Sequence, residues 1–127
     1  MIETIRKRYD FLALRDKGVK TVAKPFILQA RDLASDELPR FGLTASEKIG
    51  NAVRRNRARR RMRALVRLHL ADKARRGHHY GLIARFDMPD APFEALETAF
   101  LAAIDTVHSQ IDQKQDKETK STQQEAL

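Results

Sequence analysis

Between Gly50 and Arg67 the chain reads GNAVRRNRARRRMRALVR, with eight arginines in the fourteen positions from Arg54 to Arg67. Its opening is helix-start chemistry: Asn51 is a strong N-cap residue, and Gly50 permits a tight backbone approach just before it. On a wheel of about 100° per residue, Ala58, Met62, Leu65, Val66 and His69 fall within an arc of about 100° and form one core-facing stripe. A helix is expected from Asn51 to about Arg76, stopped by Gly77. Arg60, Arg63 and Arg67 occupy one flank, and Arg54, Arg57 and Arg61 the other. Arg55 and Arg59 fall near the first-turn continuation of the apolar stripe, an odd place for a guanidinium unless a ligand fills a groove there.

Strand patterns flank this helix. On its N-terminal side, Lys24–Leu33 (KPFILQARDL) and Arg40–Ser46 (RFGLTAS) read as the two strands of an antiparallel hairpin across the polar turn Ala34–Pro39. On its C-terminal side, His79–Arg85 (HYGLIAR) is a third strand. The strand, helix and strand make a βαβ unit, whose default crossover is right-handed. A short helix from Tyr9 to Lys17 is expected from Phe11, Leu12 and Leu14, with Asp10 as cap and Gly18 as its C′ residue, after a basic arm at residues 1–8. A second long helix spans Ala91–Ile111, with Pro92 in its first turn and Phe93, Leu96, Phe100, Ala103, Ile104 and Val107 recurring at three and four. The order α-β-β-α-β-α, with room for a further short strand, is an α+β fold: a two-layer α/β sandwich. Residues 1–111 are expected to form a single domain. From Asp112 to Leu127 apolar residues nearly vanish, the composition of a disordered polar tail.

The net charge of +8 is local. Residues 51–76 hold 11 Lys+Arg against 1 Asp+Glu and residues 1–50 hold 10 against 7, whereas residues 77–111 hold 1 against 5 and 112–127 hold 3 against 4. A solvated helix face would mix acids with its bases, yet residues 51–71 contain no acid. Arginine makes bidentate and stacked contacts with phosphates and bases, so the partner is a nucleic acid. Free N–H groups and the macrodipole at the helix start, with Lys48 beside them and Arg55 one turn in, suit successive backbone phosphates.

Other chemistries find little support. The chain lacks cysteine, which excludes disulfides and thiolate metal sites. No apolar run is long enough to span a membrane and the N-terminus is unlike a secretory signal, so a cytoplasmic protein is the default. His78 and His79 would point to opposite sides of a strand, and no metal site is expected there. Asp87, Asp90 and Glu94 fit the capping of the helix that follows better than a metal cluster. No Ser/His/Asp or Cys/His arrangement stands out, so no catalytic residue is expected on this chain. Nor is a small-molecule substrate.

The thirteen residues KIGNAVRRNRARR from Lys48 to Arg60 resemble the arginine-asparagine-arginine signature of the bacterial ribonuclease P protein family. That pattern is roughly K-x-G-N-A-V-x-R-N-R-x-K-R, from which this chain departs with Arg59 in place of Lys. The GLTAS and LIAR strands and the chain length are also similar, and the resemblance covers roughly residues 4–110. It implies a ribosomal protein S5 domain 2-like fold with a left-handed βαβ crossover. It further implies a non-catalytic subunit bound to a large catalytic RNA that removes the 5′ leader of precursor tRNA using Mg²⁺, the protein broadening the substrate range. By this resemblance the RNA-subunit contacts are Lys48, Asn51, Arg55, Asn56, Arg57, Arg59 and Arg60; Arg63, beyond the signature on the same arginine run, is a further RNA-binding candidate. The leader cleft would comprise Phe11, Arg15, Phe26 and Leu28; Arg15 stands where the family often has an aromatic. From the residues alone, Phe11, Phe26 and Leu28 are equally candidates for the core, and strand parity decides. The alternative function is a ribosomal or other structured-RNA-binding protein with no enzyme attached.

Overall fold

In the computed structural model, which describes residues 2–125, the last strand in sequence lies at the centre of the sheet. The strands are β1 (Glu3–Thr4), β2 (Val19–Val22), β3 (Phe26–Asp32), β4 (Arg40–Thr44) and β5 (His78–Ala84), in the order β1-β4-β5-β3-β2. β5 runs parallel to β4 and antiparallel to β3, and β1 runs parallel to β4. The expected hairpin between Lys24–Leu33 and Arg40–Ser46 does not form, because β5 separates the two strands. The loop joining them instead folds onto the entry to β5: Leu33 N–H donates to the Gly77 carbonyl at 2.8 Å, and Gly77 N–H to the Glu37 carbonyl at 2.7 Å. The hairpin that does form pairs β2 with β3.

Helix α1 (Arg8–Lys17) matches expectation, although Asp10 lies inside its first turn and no side chain caps it. Gly18 is extended, not left-handed, and leads directly into β2, which with β1 in the expected basic arm brings three expected strands to five. Helix α2 (Ala52–Leu65) continues through a π-helical turn (Val66–Leu70) into the single turn α3 (Ala71–Lys73), ending short of the expected Arg76. Helix α4 (Phe93–Glu125) begins after Pro92 and continues past Ile111. The segment expected to be a disordered tail from Asp112 is therefore helical as far as Glu125. Its glutamines, lysines and glutamates are good helix formers, and helix already in register at Ile111 needs no new nucleus. Residues 126–127 lie outside the described residues.

The two sheet faces differ. Phe26, Leu28 and Ala30 of β3, with Tyr80, Leu82 and Ala84 of β5, are buried beneath Ala58, Met62 and Leu65 of α2 and Leu96, Phe100, Ile104 and Val107 of α4. The Phe26 and Phe100 rings meet edge to face at 5.8 Å. Across the sheet, Ile27, Gln29 and Arg31 alternate with that set and are only half-buried. Helix α1 covers part of this second face. Phe11 lies on Gly42, where a built Cβ would fall 2.1 Å from the ring, and Leu14 lies over Gly81.

Candidate nucleic-acid interface

Strand β4 leads through a short 3₁₀ turn, Glu47–Ile49, to the start of α2. Gly50 adopts φ +129°, a region that disfavours any side chain, and so aims the chain into the helix. Asn51 caps it as expected: its side chain accepts from Arg54 N–H at 3.0 Å. The amides of Ala52 and Val53 precede the first intrahelical donors and remain available to an anion. Lys48 stands exposed beside them.

The eight arginines divide by their surroundings. Arg54 and Arg61 are structural. Arg54 Nε donates to the Ile49 carbonyl at 3.0 Å, Nη1 pairs with Asp90 at 2.7 Å and Nη2 reaches the Phe86 carbonyl at 3.1 Å. Arg61 donates from Nη1 to the Met88 carbonyl at 2.8 Å and from Nη2 to the Ala91 carbonyl. Burial, reinforced by neighbouring Arg57, holds the Arg61 guanidinium below its ordinary pKa. Together these two arginines fasten the segment 86–91 over one flank of α2. Asp90 is thereby engaged in an ion pair and does not cap α4, contrary to the sequence expectation.

The remaining arginines form the outward surface. Asn56, Arg57, Arg60, Arg63 and Arg67 are exposed. Val53, Asn56, Arg59, Arg60 and Arg63 line an open concavity of about 790 Å³. Arg59 is half-buried, donating to Asn56 Oδ1 at 3.3 Å and approaching the Ala45 carbonyl at 3.5 Å. It thereby engages the amide oxygen of Asn56. Arg55 is half-buried, and its solvent-shielded Nε lacks a partner among the described residues. Sequence reasoning did not single out Val53, which is 76% exposed amid the arginines. An apolar residue breaking an arginine face was the available signal.

The expected leader-cleft residues do not come together. Phe11 and Arg15 are adjacent on α1, but Phe26 and Leu28 are 0% and 1% exposed on the opposite side of the sheet. Strand parity assigns them to the core, where Phe26 meets Phe100, and they cannot touch an RNA. The open face presents Ile27 and Gln29 of β3 and Ile83 of β5, all half-buried, with exposed Val22 and Thr44 beside them through the register of β2 and β4. Arg15 is exposed and pairs with Asp16 at 3.1 Å.

A family model for ribonuclease P matches residues 2–108. The ribonuclease P protein component of Ruegeria pomeroyi is 40% identical over 111 residues, spanning 85% of this chain and 88% of its own. The chain belongs to the ribonuclease P protein family. Another member, from Bartonella quintana, is 41% identical over 98 residues, covering 72% of this chain and 73% of its own. The solved ribonuclease P protein of Thermotoga maritima superposes with a TM-score of 0.67 at 24% identity, covering 80% of this chain and 94% of that one. That of Staphylococcus aureus gives 0.62 at 24% identity, covering 84% and 92%. Those likenesses establish the shared α+β fold. Family membership makes the chain a protein subunit of ribonuclease P, an RNA-binding component of a tRNA-processing endoribonuclease complex.

Proposed function

We propose that this ribonuclease P subunit docks the outward face of α2 on the catalytic RNA and carries the unpaired 5′ leader of precursor tRNA along the open face of its sheet. The division among the arginines supports the reading. Arg54 and Arg61 are engaged by the protein itself, while Arg57, Arg60 and Arg63 stay in solvent beside Asn56. Each phosphate they neutralise releases counterions, so affinity falls steeply with salt. Lys48, Asn51 and the amides at the start of α2 extend the phosphate path; Arg55 and Arg59 border it.

The leader path is redrawn from the sequence expectation. Phe11, Ile27 and Ile83 offer apolar and aromatic contact to unpaired bases, which suits a strand held regardless of sequence. Arg15, one turn on from Phe11, supplies a cation alongside.

Catalysis is assigned to the RNA. Among the described residues no three histidine or acidic side chains converge as metal ligands. The Mg²⁺ of the holoenzyme belongs to the RNA in this reading. The protein's part is electrostatic docking and substrate positioning, which broadens the range of precursors cut. Among the described residues no helix is long and apolar enough to cross a membrane. A cytoplasmic site of action is proposed.

Reconstitution tests this. The purified protein alone should leave precursor tRNA uncut, and with the cognate RNA subunit at low Mg²⁺ it should stimulate leader removal. Cleavage by the protein alone, or no stimulation of the RNA, overturns the reading.

A further inference from the structure

Directly after β5, Phe86 is 63% exposed. Its ring is nonetheless held. The Arg54 guanidinium carbon lies 4.8 Å from the ring centroid, and that guanidinium is itself fixed through Ile49, Asp90 and the Phe86 carbonyl. A planar cation anchored at all three nitrogens backs one face of the ring, leaving the other side of Phe86 to solvent.

Its location gives the exposure meaning. Arg54 belongs to the first turn of α2, between the cap Asn51 and the exposed Arg57. The ring therefore stands at the helix end best suited to phosphate. The acids nearby are matched: Asp90 pairs with Arg54 at 2.7 Å, and Asp87 lies 3.8 Å from Lys24 Nζ. Arg85, the preceding residue, is exposed, with one nitrogen on the Ala23 carbonyl. A preoriented aromatic face among cations, beside a helix that binds polyanion, has the composition of a stacking platform for single-stranded nucleic acid.

We propose that the open face of Phe86 stacks an unpaired nucleobase of the RNA held against α2. The proposal rests on the reading that α2 docks RNA. Because every base has a π-face, the platform is indifferent to sequence, and the base can come from the RNA subunit or from the leader. A polyanion without bases cannot use it.

The chain contains no tryptophan, so Phe86→Trp places a single tryptophan, excitable selectively over the two tyrosines, at the platform. The variant is assembled with the RNA subunit, and precursor tRNA with or without a leader is then added. Emission should be quenched by RNA and unchanged by saturating heparin. Quenching on addition of the RNA subunit assigns the base to that RNA; quenching only with leader-bearing substrate assigns it to the leader. Absence of quenching in a complex seen to assemble by gel shift overturns the platform while leaving the docking of α2 intact. Failure to assemble for the wild type as well overturns the docking reading, and the platform with it. Phe86→Ala should weaken RNA affinity about tenfold with an unchanged melting temperature, and Phe86→Tyr should restore it. Equal affinity of Phe86→Ala and wild type overturns the proposal.

Discussion

The hydroxyl of Tyr80 on β5 lies 2.6 Å from Nε2 of His108 on α4, and the backbone N–H of Arg75 donates to the same hydroxyl at 3.0 Å. The hydroxyl accepts from Arg75 and donates to the imidazole, an arrangement that needs His108 neutral. Burial foremost, with Arg75 and His78, pushes His108 down to about 4, against the opposing pull of Asp112 and Asp105. Burial pushes Tyr80 up to about 12. For His108 the folded value lies below the unfolded one of about 6.5, so the unfolded chain binds more protons between them. Stability should hold above pH 6.5 and fall as pH drops towards 4. For Tyr80 the folded value is the higher, so stability should fall again as pH rises from about 10 to 12. Melting temperatures across pH check both limbs, and His108→Gln should flatten the acid limb. An unchanged acid limb in that variant counts against the network as its cause; His79, lowered in pKa by burial as well, would then carry it.

Phe11 rests on Gly42 with no room for a methyl group between them. Gly42→Ala should displace the ring, costing about 1–3 kcal/mol of stability and weakening binding of leader-bearing precursor more than of mature tRNA. In a double-mutant cycle with Phe11→Ala the two effects should be strongly non-additive. Simple additivity would mean that the ring does not communicate the change.

Arg60 and Arg61 are neighbours in sequence with different surroundings: Arg60 is exposed, whereas Arg61 donates to the Met88 and Ala91 carbonyls. Arg60→Ala should leave the melting temperature unchanged and lower the slope of log affinity against log salt by about 1. Arg61→Ala should leave the carbonyls of Met88 and Ala91 unpaired and lower stability by about 1–3 kcal/mol, with little change in that slope. Thermal melts and salt titrations of RNA binding separate the two. Matching behaviour of both variants would contradict the division.

Phe26→Ala should remove a fully buried ring and cost about 3–5 kcal/mol, seen as a lower denaturation midpoint. Where the variant remains folded at low temperature, its leader affinity should equal that of wild type. A selective loss of leader binding would return Phe26 to the cleft.

What could be read directly from the residues was what neighbours in sequence decide. Gly50, Asn51 and the stripe of Ala58, Met62 and Leu65 specify a capped helix with one buried side, and they hold. Phe26-Ile27-Leu28 has apolar residues on both parities, so nothing local says which side faces α4. The wheel placed Arg54, Arg57 and Arg61 on one flank without distinguishing them. The distinction comes from residues 86–91, about thirty positions later, folding over Arg54 and Arg61. Asp90 was misread as a cap for the same reason: its partner is far away in the chain. The adjacency of β3 and β4 failed likewise, since β5 enters between them from beyond the α2 crossover.

That central position of β5 bears on synthesis. A ribosome that has released residues 1–60 has exposed the β2–β3 ribbon and the β4 segment, with the slot between them vacant. The sheet can close only once Ala84 has emerged, and by then the whole arginine helix is already outside. The basic segment is thus outside the ribosome before the sheet that carries it can close, and completion of the fold waits on residues translated after it.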